Sequence, residues 1–176
     1  MKYAALLRAV NVGGTGKLPM AELVELFAAA GAKDARSYLQ SGNVVFEATA
    51  AIARRIPERI ETAVDKAFGH RPAVLLRDAK ELAQIPRDNP FAKADPKLLH
   101  VGFLADAPSK AAIAALDPDR SPGDRFCVRG RTVYFQFKAG VGKTKLSNSW
   151  FETKLATRMT WRNWNTLQAL IELTKL

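Results

Sequence analysis

Only one cysteine, Cys127, occurs in the 176 residues, so an intrachain disulfide is excluded, and its apolar strand-like neighbours point to an ordinary core thiol. Histidine is nearly as scarce. With His70 and His100 alone, no cluster has the count or spacing of a structural zinc site, and no metal or cofactor is expected. Long apolar runs are missing too. The stretch from Met1 to Val10 is broken by Arg8 and carries no small-residue cleavage site, and no other segment is long enough to span a bilayer. These absences lead to the expectation of a soluble cytoplasmic protein with no membrane partner. Low-complexity segments are absent, and 48% hydrophobic content is enough for a packed core. Acidic residues are depleted in one region. Residues 120–176 hold 11 Lys/Arg against 3 Asp/Glu, whereas residues 1–119 hold 16 against 14, so the last third carries +8 of the net +10. Such asymmetry favours phosphate-rich partners, although a basic balance by itself also serves solubility.

What is present reads as a repeated pattern of elements. Tyr3 to Val10 is an apolar run of strand length ending at Asn11-Val12-Gly13-Gly14, where glycine permits a turn. Pro19 then opens a helix carrying Met20, Leu23, Val24, Leu26 and Phe27 at helical spacing, which Gly31 stops after Ala30. Arg36–Leu39 and Val44–Glu47 flank the turn-forming Gln40-Ser41-Gly42-Asn43 and predict a hairpin. A second helix spans Ala51–Phe68, with Ile52, Ile56, Ile60, Val64 and Phe68 in steps of four and Pro57 bending or restarting it. Ala73–Arg77 is a fourth strand.

This order is the split βαβ arrangement of ferredoxin-like domains, and it begins again. Leu98–Leu104 reads as a strand, Ser109–Leu116 as a Ser-capped helix, and Arg125–Val128 with Thr132–Phe137 as a hairpin around Arg129-Gly130-Arg131. Two helices close the chain. The expected fold is therefore α+β: two tandem ferredoxin-like (split βαβ) subdomains with antiparallel sheets and C-terminal helices. Their expected bounds are 1–78 and 97–176, joined by a tethered connector, 79–96, that holds a short helix, Pro86 and Asn89-Pro90-Phe91.

Several segments together also resemble a known family: Leu7 to Gly14, Met20, Ser37 to Phe46, Asn89-Pro90-Phe91, Thr144 to Asn148, Phe151-Glu152, Lys154-Leu155 and Thr160 to Thr166. In these residues the chain is similar to the bacterial family known as domain of unknown function 1697. The resemblance implies an α+β fold with ferredoxin-like halves and brings no established reaction. It implies polar motif positions at Arg8, Asn11, Ser41, Asn43, Thr144, Lys145, Asn148, Arg162, Asn163 and Asn165. Ser147 stands where Thr is expected and keeps the hydroxyl.

The densest concentration of polar donors lies from Gly140 to Thr166. Gly140-Val141-Gly142-Lys143-Thr144 invites a phosphate-loop reading, but that pattern needs a further glycine where Phe137 stands, and no acidic magnesium partner is identifiable. A looser role fits better: a glycine-flexible loop presenting Lys143 and Lys145 to an anion at the start of the next helix. The hairpin fails the aromatic signature of RNA-recognition domains. Arg129-Gly130 matches its first two positions, but Arg131, Thr132 and Gln136 replace residues that signature needs. Alternation places Val133, Phe135 and Phe137 in the core, leaving Tyr134 either structural or a base-stacking platform. Trp164 reads as core. Trp161 packs beside Arg162 or meets a planar ligand, and Asn163 either binds or caps the last helix.

Catalytic machinery is hard to find. Neither histidine shares a motif with Cys127 or Ser41, and most carboxylates belong to solvated helix faces. Glu152, inside the basic motif, is either a general base or a partner for Lys145 or Lys154. Three readings follow: a module binding nucleic acid or another phosphate-bearing ligand through Lys143, Lys145 and Arg162; an enzyme acting on a small phosphorylated or nucleotide-like substrate; or a polar motif that only satisfies turns and caps.

Overall fold

A computed structural model describes residues 1–175 as two compact units. The first comprises Met1–Leu82 together with the chain from Leu170 onward, and the second Ala83–Ala169. Each is built around a four-stranded antiparallel sheet with the ferredoxin-like strand order, and the protein is α+β.

In the first unit the order is β1 (Lys2–Leu7), α1 (Met20–Ala29), β2 (Lys33–Tyr38), β3 (Asn43–Glu47), α2 (Ala50–Ala53), α3 (Ile56–Phe68) and β4 (Val74–Asp78). The sheet runs β2-β3-β1-β4. Pro57 is the second residue of α3, where its missing N–H costs nothing, so it restarts the expected single helix as two. Gly69 ends α3 in the left-handed region at φ 73°. Ile56, Ile60 and Val64 lie one turn apart and are fully buried with Leu23 and Phe27 against Tyr3, Ala5, Leu7, Val44 and Phe46 of the sheet. Each of these aliphatic chains stabilises the unit by roughly 1.5–3 kcal/mol. The alternate residues of the sheet, Ala4, Leu6, Val45, Leu75 and Arg77, are buried as well.

A helix, α4 (Ala79–Asp88), follows β4 directly. The second unit then contains β5 (Leu99–Leu104), α5 (Lys110–Ala114), β6 (Arg125–Arg129), β7 (Thr132–Gln136), α6 (Asn148–Leu155), β8 (Met159–Asn163) and the start of α7 (Trp164–Thr174). Its sheet runs β6-β7-β5-β8. Gly102 lies beneath the core of this unit, where a Cβ would stand 2.8 Å from Met159 Cε and 3.1 Å from Phe135 Cε2. Around it pack Val133, Phe135, Phe137, Phe151, Leu155 and Met159. The end of α7 returns to the first unit, where Lys2 Nζ donates to the Lys175 carbonyl at 2.6 Å.

Two sequence expectations need correction. The chain does not close with two consecutive helices: Met159–Asn163 is a strand, β8, pairing antiparallel with β5 and completing the second sheet. The apparent helical spacing of Trp161, Trp164 and Leu167 spans a strand–helix junction and carries no periodicity of its own. The first strand also stops at Leu7, because Ala9 and Asn11 take left-handed φ values of 56° and 54°.

Strand register exposes a repeat that the sequences of the two halves conceal. Arg77 of β4 lies opposite Ala4 of β1, and Arg162 of β8 lies opposite Val101 of β5, at matching places in the two sheets. Both arginines are buried, and each Nη1 donates to the carbonyl of the preceding residue, Leu76 at 2.7 Å and Trp161 at 2.8 Å. The next residue caps the following helix in both cases. Asp78 Oδ1 accepts from Glu81 N at 2.8 Å, and Asn163 Oδ1 accepts from Thr166 N at 2.8 Å.

Candidate functional site

The basic loops of the second unit begin where β7 ends. Phe137 is buried, and the chain turns outward at Lys138, whose N–H donates to Asp124 Oδ1 at 2.8 Å. Asp124 belongs to the turn Ser121-Pro122-Gly123-Asp124. Gly123 (φ 90°) runs directly beneath Lys138, and a Cβ there would stand 2.5 Å from Lys138 Cδ. Ser121 is the hub of the cluster. Its buried hydroxyl donates to Asp124 Oδ2 at 2.6 Å and accepts from Lys145 N at 3.0 Å and from Thr144 Oγ1 at 3.4 Å. Thr144 Oγ1 in turn accepts from Leu146 N at 3.1 Å. The 138–146 loop is thus fastened to the 121–124 turn at both ends.

Electrostatics follow from those bonds. Burial alone would raise the Asp124 carboxyl, but hydrogen bonds from Ser121, Thr144 and the Lys138 N–H, with the Lys138 charge, outweigh it and hold Asp124 below the ordinary aspartate range. Its Oδ1 is committed to the loop and its Oδ2 to Ser121. Lys143 and Lys145 are exposed and make no ion pair among the described residues, and Arg120 lies with its guanidinium carbon 5.4 Å from the centre of the Trp150 ring. A single 3-10 turn, Val141–Lys143, carries Lys143, and Ser147 caps α6 by accepting from Trp150 N at 3.2 Å. Asn148 opens α6 with its Oδ1 buried and without a hydrogen-bond partner.

The other candidate residues are placed differently. Arg162 is 8% exposed, and Nη1 bonds Thr160 Oγ1 at 2.8 Å in addition to the Trp161 carbonyl, so it is no surface clamp. Burial pushes its guanidinium down to about 10, which still leaves it charged at neutral pH. Asn163 spends its oxygen on the α7 cap, while Asn165 is exposed. Trp161 turns into the core, with ring centroids 5.3 Å from Phe135 and 5.9 Å from Phe137. Tyr134 is 2% exposed and offers no stacking platform. Trp164 and Cys127 are half-buried rather than core, Cys127 lying on the edge strand β6. Glu152 Oε1 accepts from Met159 N at 3.0 Å, tying α6 to β8.

In the first unit, Asn11, Ser41 and Asn43 gather around one pair of turns. Asn11 Nδ2 donates to the carbonyls of Leu18 and Gln40, both at 2.9 Å, and its Oδ1 accepts from Leu18 N at 2.8 Å. Asn43 Nδ2 donates to the Tyr38 carbonyl at 2.9 Å and to Ser41 Oγ at 3.1 Å. The backbone N–H of Arg8 instead donates to the Ala73 carbonyl at 2.9 Å, beside β4. Both asparagines serve as staples between backbone segments. Sequence reasoning passed over Ser121, Asp124, Lys138 and Arg120; their one signal was a turn-forming Ser-Pro-Gly-Asp set beside a cation.

The family model described as "Protein of unknown function (DUF1697)" matches residues 1–134. The chain belongs to that family. The match ends before the 138–146 loop, so the loop's residues lie outside it. No curated protein matches the chain. Among solved structures, the conserved bacterial protein SP0830 from Streptococcus pneumoniae has a TM-score of 0.69 at 21% identity, over 99% of this chain and 98% of that one. That likeness is one of fold. Among the described residues no helix is long and apolar enough to cross a membrane, and no three His, Cys, Asp or Glu side chains are grouped to hold a metal ion.

Proposed function

We propose that this member of the family binds a phosphate-bearing ligand, nucleic acid in the first instance, on the loops around Ser121 and Asp124. One observation carries the reading: the Asp124 carboxylate is occupied by Ser121 and the Lys138 N–H, while Lys143 and Lys145 on the loop it anchors stay exposed, with no ion pair among the described residues. Fixing the loop before binding reduces the ordering cost of each phosphate contact. Lys138 and Arg120, both exposed, add to the positive charge there. Asn11, Asn43, Asn163 and Arg162 fit the structural alternative, since their side chains already serve the fold.

Fluorescence anisotropy of short single-stranded oligonucleotides tests the proposal. The double variant Lys143→Ala/Lys145→Ala weakens binding across unrelated sequences and flattens the salt dependence by about one to two in log–log slope. Unchanged affinity would contradict it. Competition by a mononucleotide, with no dependence on oligonucleotide length, would favour an enzyme of small phosphorylated substrates instead.

A further inference from the structure

A crevice of about 450 Å³ opens within the second unit, between the turn that follows α4 and the sheet edge where β6 begins and β7 ends. Four of its residues matter: Phe91, Lys93, Arg125 and Gln136. The turn is rigid. The buried Asn89 accepts from Phe91 N through Oδ1 at 3.0 Å, and Ala94 N donates to the Phe91 carbonyl at 2.9 Å. Phe91 itself is 7% exposed, so its ring is a fixed plate. The guanidinium carbon of Arg125 lies 4.9 Å from the centre of that ring.

Stacking on Phe91 occupies one surface of the Arg125 guanidinium and restrains its orientation, while leaving N–H donors free for a planar or tetrahedral oxyanion. Among the described residues no carboxylate lines the crevice, and neither Arg125 nor Lys93 makes an ion pair. Asp124, the neighbour in sequence, has both oxygens committed to Ser121 and Lys138. Lys93 adds a point charge and Gln136 an amide donor. The volume lies within the ~300–1,000 Å³ typical of small-ligand pockets, well beyond what an inorganic anion alone would fill.

We propose that this crevice is a second anion site, separate from the 138–146 loop, which takes a phosphate monoester of nucleotide size with Arg125 and Lys93 on the phosphate and Gln136 beside it. A free nucleoside monophosphate and the 5′-phosphate end of a nucleic acid share this chemistry. The site does not depend on nucleic-acid binding by the loop.

Isothermal titration of the full chain with adenosine 5′-monophosphate, with adenosine, and with an oligonucleotide carrying or lacking a 5′-phosphate tests it. The monophosphate binds and adenosine does not. Arg125→Ala weakens that binding roughly ten- to a hundredfold, as expected for loss of a charge-assisted pair of hydrogen bonds, while Lys143→Ala/Lys145→Ala leaves it unchanged. A preference for the 5′-phosphorylated oligonucleotide that Arg125→Ala abolishes identifies the nucleic-acid end as the source; indifference to that phosphate identifies the free monophosphate. Because Arg125 is exposed, the variant keeps its fold, which its thermal transition verifies. Failure of the wild-type protein to bind the monophosphate overturns the proposal, as does equal affinity in Arg125→Ala, or loss of binding in the loop variant alone.

Discussion

The oxygen of Asn163 meets the N–H of Thr166, and the guanidinium of Arg162 meets the Thr160 hydroxyl and a carbonyl of its own strand. Much of the polar density near the end of the chain therefore satisfies the protein itself. Asn163→Ala should lower stability by roughly 0.5–2 kcal/mol, whereas Asn163→Asp keeps the cap, and neither alters oligonucleotide affinity. Urea melts beside anisotropy check both halves of that statement. Tyr134 gives a pH test. Burial, aided by Asp88 and Cys127 and opposed by Arg129, pushes its phenol from 10 up to about 12. The folded protein then holds this proton more tightly than the unfolded chain, so stability is full below pH 10 and falls as pH rises toward 12. Tyr134→Phe should remove that segment of the alkaline stability profile; an identical decline in the variant would show that another group is responsible. Sequence could name these side chains but not their direction. Arg162 reads as a ligand clamp only while its segment is taken for a helix surface; placed on a strand between Trp161 and Asn163, it points the opposite way from Trp161 and is buried.

Elements were more legible than side chains. Both hairpins and the helices α1, α3 and α5 could be read from glycine, proline and apolar spacing, because each carries its own punctuation. Strand β8 carries none. It is five residues long, has Arg and Asn among its members, and runs into α7 without an intervening loop, so only its pairing with β5 defines it. The turn between β2 and β3 shows how much one local choice can bear. Gly42 takes φ 76°, its carbonyl accepts from Leu7 N at 2.8 Å, and a Cβ on it would stand 2.9 Å from Leu7 Cβ and 3.3 Å from Val10 Cβ. Gly42→Ala is expected to cost roughly 1–3 kcal/mol, through left-handed strain and forced displacement of β1. A chemical denaturation midpoint equal to that of the parent chain would disprove the close packing described for this turn.

For the molecule as a whole, the tandem arrangement was legible in the order of elements. Contacts return the chain from Leu170 onward to the first unit, Met1–Leu82. Such a return depends on contacts between distant segments, which local patterns do not encode. Charge was legible in amount and region: the +8 of residues 120–176 locates the basic loops, but not the Ser121 hub that fastens them. The most direct test of phosphate binding there is the salt dependence of affinity for a single-stranded oligonucleotide. If Arg120, Lys138, Lys143 and Lys145 each meet a phosphate, log K should fall against log salt with a slope of about −3, and the Lys143→Ala/Lys145→Ala variant should lose about half of it. A slope near zero, or one that the double variant leaves unchanged, would contradict the proposed role of the loop.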